Sequence, residues 1–293
     1  MKKYVCILLS FSFYNAGAQV DVKTDKAVNP EAKTEKVYST FRSTRVINAH
    51  SVDMLRKGNL DFRILHRFGF VDQGIKQLFG LDQASMRLGF DYGITDNFTV
   101  GVGRSTYRKE IDLFLKYRVL QQSSGAINMP FSLAIATGGL VYTEQSFAVN
   151  KPSFSDRSSF YFQLLAGRKF SKNFSFQISP MWVHSNMPVI GTNKDLFSVG
   201  GGARYKFSRK LAATVDFHHV FNTLIPQNRD PLSIGLDIET NGHIFQLHFS
   251  NATGMNERAY ISETFGDFFK GEIRFGFNLS RMFHIGSRKP KTY

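Results

Sequence analysis

The strongest constraint on the fold is a period-two alternation of apolar and polar residues that recurs from residue 59 almost to the end of the chain. The segment LSIGLDIE at 232–239, for example, places leucine or isoleucine at every second position. Successive side chains of a β-strand point to opposite faces, so each such segment presents one apolar and one polar face. The alternation therefore predicts an all-β fold.

Twelve segments carry this pattern, and several reach about ten residues, the length that a tilted strand needs to cross a bilayer. They lie at residues 59–68, 85–94, 98–106, 110–121, 131–143, 159–170, 174–185, 197–207, 211–221, 232–239, 243–252 and 272–285. The chain offers no long uncharged apolar run of the kind a membrane-spanning helix needs. Because lipid leaves an open sheet edge unpaired, a membrane protein with this pattern has to be a closed barrel.

The connections separate a barrel from a soluble β-sandwich, which also alternates. Tight turns at 95–97, 171–173, 208–210 and 240–242 alternate with longer loops at 69–84, 144–158, 186–196, 222–231 and 253–271. Only 107–109, which is short, and 122–130, which is long, depart from this order. Charged polar faces and Phe or Tyr near the strand ends fit the same interpretation. We predict an antiparallel, up-and-down, membrane-spanning β-barrel of about twelve strands, with both termini in the periplasm.

The first 18 residues predict a signal peptide. Lys2 and Lys3 precede a short apolar stretch, and Ala16-Gly17-Ala18 is a small-residue cleavage pattern. An N-terminal membrane anchor is disfavoured because the apolar stretch is too short to span a bilayer. Cys6, the only cysteine, lies in this leader, so the mature chain would hold no disulfide and no cysteine-bound metal.

We predict that the barrel spans residues 59–285. Residues 19–58 would form a periplasmic lead-in before it, and residues 286–293 a basic tail after it. The stretch 38–48 is either an extra strand or an extended plug. Ser51 to Lys57 predicts a short helix with Ser51 as its N-cap and Gly58 as its stop. This helix would either close the periplasmic mouth or rest beside the barrel rim.

The formal charge is +14, or +12 without the two lysines of the leader. A secreted chain is not expected to meet nucleic acid as its main partner. The basic residues are dispersed and fit lumen and loop charges near outer-membrane lipid and lipopolysaccharide, or a merely solvated basic surface. A small solute is a further possible partner, and the sequence identifies no protein partner.

Four segments resemble a family of outer-membrane β-barrels from Bacteroidota, the domain-of-unknown-function family 5777. They are STRVINAHSVDMLRKGNLDFRILHRFG at 43–69, LFGLDQASMRLGFDYGITDNFTVGVGRS at 78–105, GHIFQLHFSNATGM at 242–255 and GEIRFGFNLSRMF at 271–283. Together they frame nearly the whole mature chain. The resemblance implies a barrel in the outer membrane and brings no catalytic or binding residues with it.

Motifs for catalysis or cofactor binding are weak. His184-Ser185-Asn186 stands at a strand end, where neighbouring residues point to opposite faces and would not meet. His218-His219 has the same problem as a metal pair, and Gly101-Val102-Gly103 lacks the rest of a dinucleotide fingerprint. We therefore predict no catalytic residue, no metal site and no cofactor.

The polar faces supply the lumen candidates. The alternation points the following residues inward: Asp61, Arg63, Arg67, Arg87, Asp91, Asp112, Lys116, Arg118, Arg204, Lys206, Asp216, His218, Asp237, Glu239, His248, Glu272 and Arg274. Because both signs are present, they form either a salt-bridge lattice that fills a small barrel or the walls of a solute-selective channel. Unpaired burial would be costly, so these groups must pair or stay hydrated.

Two loops contain exposed apolar candidates. Ile75, Leu78 and Phe79 have helical spacing and could form a short helix over or into the pore. The loop 253–271 is unusually apolar for an external loop and either contacts a partner such as lipopolysaccharide or packs on itself. Its apolar residues are Met255, Tyr260, Ile261, Phe265, Phe268 and Phe269.

Three functions fit this sequence. The leading hypothesis is a non-catalytic narrow channel or binding protein for small polar or charged solutes. The second is a closed structural or partner-docking barrel, plugged by its lumen charges and by 38–58. The third, a barrel enzyme that acts on lipid, is disfavoured because the sequence shows no nucleophile with a base beside it. A soluble secreted β-protein is the remaining alternative for the fold.

Overall fold

The computed structural model describes residues 33–144, 151–188, 193–223, 227–240 and 243–285. The predicted signal peptide, the lead-in up to residue 32 and the basic tail lie outside these residues. No helix within the described part of the chain is long and apolar enough to cross a membrane.

Twelve antiparallel strands close into one barrel, which confirms the fold predicted from the alternation. They are β1 (Asn59–Phe70), β2 (Ala84–Thr95), β3 (Phe98–Ser105), β4 (Glu110–Leu120), β5 (Ser132–Tyr142), β6 (Ser158–Lys169), β7 (Phe174–Ser185), β8 (Asp195–Lys206), β9 (Leu211–Val220), β10 (Leu232–Glu239), β11 (His243–Ser250) and β12 (Arg274–His284). Each strand pairs with its neighbours in sequence, and β12 pairs with β1, with Leu279 opposite Ile64. Closure therefore leaves these strands without a free edge.

The outer face of the barrel is apolar although it is exposed. Leu113 is 56% exposed and Phe197 52%, and both alternate with buried neighbours. Exposed aromatic side chains lie near both ends of the strands: Tyr117, Phe170, Phe174, Tyr205, Phe207 and Phe283 toward one end, and Phe160, Phe197, Phe217, Phe221 and Phe249 toward the other. An apolar band between two aromatic girdles is the surface that a membrane-spanning barrel presents to lipid.

The inner face is polar over most of the barrel, but along β5 to β7 apolar residues are mixed with polar ones such as Gln163 and Gln177. Ala134, Ala136, Leu140, Leu165 and Met181 are buried there. The inner face is therefore less uniformly polar than the alternation predicts. In β5, SLAIATGGLVY, both faces are largely apolar, as in strands that are covered on both sides.

A hairpin from the N-terminal segment covers this apolar wall. Residues 40–56, called here the N-terminal plug, lie inside the barrel, and Phe41, Val46 and Val52 belong to the same buried cluster as the wall. The Val46 N–H donates to the Ala49 carbonyl at 2.9 Å, which turns the chain at the tip of the hairpin. Just before the plug, the two-residue strand Glu35–Lys36 pairs with Ser123–Ser124.

The helix predicted over Ser51 to Lys57 is wrong. Residues 51–56 form no regular element, and residues 57 and 58 form a turn. Ser51 does not cap a helix, because its hydroxyl donates to the Ser43 carbonyl at 2.5 Å across the hairpin. Contacts with the barrel wall thus override a local helix signal.

The long loop between β11 and β12 also enters the barrel. Its helix α1 (Glu257–Ser262) is buried at all six positions, and residues 251–266 are called here the loop insert. Met255, Tyr260 and Ile261 are fully buried in it, so this half of the loop is not external. Phe265 and Phe269 stay exposed, Phe268 is half-buried, and Phe268–Lys270 form a 3-10 turn.

The prediction of a helix over or into the pore at Ile75, Leu78 and Phe79 is also wrong. This loop forms two 3-10 turns, Val71–Gln73 and Ile75–Gly80. Leu78 and Phe79 have positive φ angles of 44° and 53°, which break the helical path, and all three side chains are exposed. A third 3-10 turn, Tyr107–Lys109, links β3 to β4.

Candidate functional site: the closed lumen

The two ends of the barrel differ. At the end called here the turn end, the strands are joined by residues 96–97, 121–131, 170–173, 207–210 and 240–242. At the opposite loop end, the connections are 71–83, 106–109, 143–157, 186–194, 221–231 and 251–273. The N-terminal plug enters from the turn end and the loop insert from the loop end.

The carboxylate of Asp216 on β9 binds the tip of the N-terminal plug. Its Oδ2 accepts the backbone N–H groups of Ile47, Asn48 and Ala49 at 3.3, 2.8 and 3.0 Å. Asp216 is 3% exposed, so these bonds form away from bulk water. Charge-assisted bonds to three successive amides fix the position of the tip.

Side-chain amides on other strands bind the backbone of the plug. Gln177 accepts from one plug N–H at 3.0 Å and donates to a plug carbonyl at 2.7 Å. Gln246 and Asn278 each donate to a plug carbonyl, at 2.6 and 3.0 Å. These contacts provide hydrogen-bond partners for backbone groups of the plug that are not paired with a neighbouring β-strand.

Buried cations add further bonds. The Lys116 ammonium donates to the carbonyl of Asp53 at 2.6 Å, and Arg63 donates to the hydroxyl of Thr44 at 2.6 Å. Both side chains are at most 2% exposed. The plug therefore contributes acceptors to two buried wall cations, of which Arg63 also pairs with Asp61 on the same strand.

Both ends of the plug lie at the turn end. The Ser39 carbonyl accepts from Lys169, the last residue of β6, at 3.0 Å. The Gly58 N–H donates to Gly93 near the end of β2 at 2.8 Å. His50, near the tip, reaches the Tyr161 hydroxyl at 3.1 Å. A hairpin inserted in this way can leave through the turn end without threading a free chain end through the barrel.

A second cluster fixes the loop insert. The Arg258 guanidinium donates to Glu110 at the start of β4 at 2.8 Å and to Glu263 at 2.5 Å. It also stacks 4.5 Å from the ring centroid of Tyr142. Asn256 caps α1 by accepting the Ala259 N–H at 2.9 Å. All of these polar groups are buried, so the insert is anchored by paired charges.

The two inserts meet inside the barrel. Glu257 on α1 accepts from Arg45 of the plug at 2.7 Å, and both side chains are 1% exposed. The His50 ring lies 3.3 Å from the same carboxylate. The lumen is thus closed by two separate pieces of chain that share one buried ion pair.

Acidification is expected to loosen the loop insert through Glu263. Burial alone would raise the pKa of this carboxyl, but Arg258 and Arg108, with hydrogen bonds from Arg258 and Tyr107, hold its pKa below the usual value. A depressed pKa gives stability that is complete above about 4.3, the usual pKa of an unfolded glutamate, and is lost as the pH falls further. Hydrogen exchange of residues 251–266, corrected for intrinsic rates, should rise below about pH 4.

The matched control for this prediction is Glu263→Gln, which removes the titrating group. Its exchange is expected to be faster at neutral pH and less sensitive to acid than that of the wild type. An identical pH profile for the two proteins would contradict the role given to Glu263.

Most lumen candidates from the sequence lie buried on the inner face. They are Asp61, Arg63, Arg67, Arg87, Asp91, Asp112, Lys116, Arg118, Arg204, Asp216, His218, Asp237, Glu239 and His248. Ion pairs join several of them, including Arg87 with Asp112 and Arg204 with both Asp237 and Glu239. Opposite charges two strands apart therefore pair across the strand between them, which is β3 for Arg87 and β9 for Arg204.

Three candidates lie elsewhere. Lys206 is half-buried at the turn end, 3.9 Å from Glu239. Glu272 precedes β12 in the loop, where its carboxylate accepts the Asp267 N–H at 2.7 Å. Arg274, the first residue of β12, stacks 3.7 Å from the Phe70 ring centroid. Glu272 lies before the strand begins, and Arg274 stands at the strand end, opposite Ser250 on β11 and beside a bulge of β1.

The weak catalytic motifs have ordinary surroundings. His184 lies on the outer face 2.8 Å from Asp195, whereas Ser185 is buried and bonds to Ser159. His218 points inward and His219 outward. Among the residues that the structure describes, no group of three or more His, Cys, Asp or Glu could hold a metal ion.

Sequence reasoning missed the residues that close the lumen. Asp53, Asn48 and Arg45 of the plug and the Glu110–Arg258 pair were not singled out. The available signal was β5, whose two faces are both largely apolar, because a largely apolar inner face requires a cover. The pairings themselves join residues more than a hundred positions apart, which no local pattern reveals.

The turn end carries a strong excess of positive charge. Its exposed cations include Lys36, Arg42, Arg56, Lys57, Arg168, Lys172, Arg209, Lys210 and Arg281, against Glu35 and Asp96 as exposed acids within the described residues. The loop end mixes both signs. At the turn end, a cavity of about 350 Å³ opens between the plug and the strand ends. Its lining includes Arg56, Arg118, Asp61 and Glu239.

No curated protein matches the sequence. Among solved structures, a KdgM porin aligns at 11% identity and a TM-score of 0.47, over 77% of this chain and 99% of that one. The CymD monoaromatic hydrocarbon channel aligns at 9% and 0.37, over 78% and 90%. CdiB from Acinetobacter baumannii aligns at 9% and 0.34, over 78% and 60%.

The family profile of the membrane bound beta barrel domain (DUF5777) matches residues 41–283. This match covers all twelve strands except the last residue of β12, and it includes nearly all of the N-terminal plug and the loop insert. A closed barrel with an apolar, aromatic outer face is the structure that this description requires. The chain belongs to the family of membrane bound beta barrel domains (DUF5777).

Proposed function

We propose that the protein is a non-catalytic channel of the outer membrane that passes small polar or charged solutes and is closed at rest by its N-terminal plug. Its turn end and both termini would face the periplasm, since short turns lie on that side in barrels of this kind. Its outer face would contact outer-membrane lipid and, toward the loop end, lipopolysaccharide.

The observation that carries this proposal is the hairpin geometry of the plug. Both of its ends are at the turn end, so it can withdraw toward the periplasm as one piece without passing a chain end through the barrel. The inner wall that it would leave carries Asp216, Gln177 and Gln246, which water or a polar solute could bind in its place. A periplasmic factor would bind the segment before residue 40 and pull the plug out of the barrel.

A disulfide that locks the plug tests this proposal. A Cβ placed on Gly167 would lie 2.8 Å from both methyl carbons of Val52, which suits a bond between cysteines at these positions. Cys6 is the only native cysteine and falls in the expected leader, so the pair V52C/G167C would be the only thiols of the mature chain.

Single-channel recording in planar bilayers would compare three proteins. The wild type should be mostly closed with occasional openings. A chain lacking residues 19–56 should open far more often, with a conductance limited by the loop insert that stays in the lumen. Oxidised V52C/G167C should show no openings, and reduction should restore the wild-type behaviour. A deletion variant that folds into a barrel but never conducts would overturn the channel and favour a closed structural barrel.

A further inference from the structure

A shallow groove of about 430 Å³ lies at the turn end, between residues 36–39 and the turn that joins β6 to β7. Lys36, Lys169 and Lys172 line it together with Ser39 and Ser171, and no carboxylate of the described part of the chain does. The Lys169 ammonium donates one hydrogen bond to the Ser39 carbonyl at 3.0 Å, which connects the two sides of the groove. An ammonium group has three donors, so further donors remain for an anion.

The lipid-facing surface begins directly beside this groove. Arg168 precedes Lys169 on β6 and is exposed on the outer face, with its guanidinium carbon 5.1 Å from the ring centroid of Phe170. The rings of Phe170 and Phe174 lie 5.8 Å apart and belong to the aromatic girdle. Cations and aromatic rings thus form one continuous surface from the groove to the lipid.

The opposite side of the barrel repeats this arrangement. Arg281 on β12 is exposed on the outer face, and its guanidinium lies 5.0 Å from the ring centroid of Phe283. In both pairs the arginine is one outward position deeper in the membrane than the phenylalanine and bends back over its ring toward the turn end. Long cationic side chains adopt this conformation where their stems are in lipid and their charges reach the headgroups.

We propose that the groove, together with Arg168, binds the phosphate of an anionic phospholipid from the leaflet that surrounds the turn end. The acyl chains would lie on Phe170 and Phe174, and the phosphate would lie between Arg168, Lys172 and the other two lysines. The basic rim of the turn end would concentrate such lipids around the barrel. A zwitterionic headgroup gains less here, because its own cation would meet the same lysines.

Lipid retention tests the site. The full-length protein would be reconstituted in phosphatidylcholine nanodiscs with and without phosphatidylglycerol, and native mass spectrometry would count the lipids that stay bound after release. The triple variant K36Q/K169Q/K172Q is compared with K76Q/K151Q/K194Q, which removes the same charge from exposed lysines of the loop end. Heat-modifiable gel mobility verifies that each variant is folded.

The wild type and the loop-end control should retain phosphatidylglycerol in preference to phosphatidylcholine. The turn-end variant should retain it about a hundredfold less, since each of the three lysines near a membrane surface contributes about a factor of five. Equal retention in the two triple variants would overturn the proposal. A competition arm adds inorganic phosphate: if phosphate alone displaces the lipid and binds the detergent-solubilised protein through the same lysines, the site is one for a free anion and the lipid assignment is wrong.

Discussion

Replacing Arg258 by methionine is expected to lower the free energy of unfolding by about 3–5 kcal/mol, the usual cost of removing one partner from a buried ion pair. The substitution leaves the carboxylates of Glu110 and Glu263 inside the barrel without their cation, and both are at most 1% exposed. The loop insert should then open. Chemical denaturation in detergent micelles gives the total change, and hydrogen exchange of residues 251–266 localises it.

Arg108→Met is the matched control, because Arg108 binds the same Glu263 carboxylate at 2.8 Å but is 36% exposed. Water screens that pair, so its loss should cost about 0–1 kcal/mol. The triple variant E110Q/R258M/E263Q removes all three charges and should recover much of the lost stability. Equal losses in R258M and R108M would show that burial of the cluster does not set its strength.

Asp216→Ala is expected to release the N-terminal plug. Three backbone N–H groups, at residues 47–49, lose their shared acceptor, and each unsatisfied buried donor costs about 1–3 kcal/mol. Water entering the space of the carboxylate would recover part of this. Protease cleavage within residues 40–56 should therefore become faster, and conductance in planar bilayers should rise toward that of the deletion variant.

Asp216→Asn keeps an oxygen in the same place and should retain most of the protection of the plug. Asp156→Ala removes a carboxylate from an exposed loop, where it binds only Ser153 within the described chain, and should leave the plug unchanged. If cleavage of the plug and conductance in D216A match those of D156A, the contacts of Asp216 do not hold the hairpin in place.

The alternation of apolar and polar residues predicted the strands correctly, because side chains in any β-strand alternate between its two faces. All twelve predicted segments are strands, with ends within two residues of the observed ones. The inward or outward direction of charged residues such as Arg87 and Asp112 also follows from the sequence, since a closed barrel fixes each face from the register. The rule failed at Glu272, because the last strand begins two residues later than predicted and the alternation does not extend into the loop before it.

The apolar patches in the loops were a poorer guide. Tyr260 and Ile261 belong to an insert buried in the barrel, whereas Ile75 and Phe79 remain on the surface. The composition of the two loops does not separate these outcomes. The difference is that the loop 253–271 carries Arg258. This residue pairs with Glu110 on a distant strand and fixes the loop inside the barrel.

The sequence by itself determined the strand number, the up-and-down order and the two-faced wall, since these depend on local periodicity and connection length. The tertiary structure decided that the lumen is filled by the N-terminal plug and the loop insert. Closure depends on backbone amides of residues 47–49 meeting Asp216, and on Arg45 meeting Glu257 across more than two hundred residues. Such contacts follow from the three-dimensional path of the chain, because the same polar residues could equally well have lined an open, hydrated lumen.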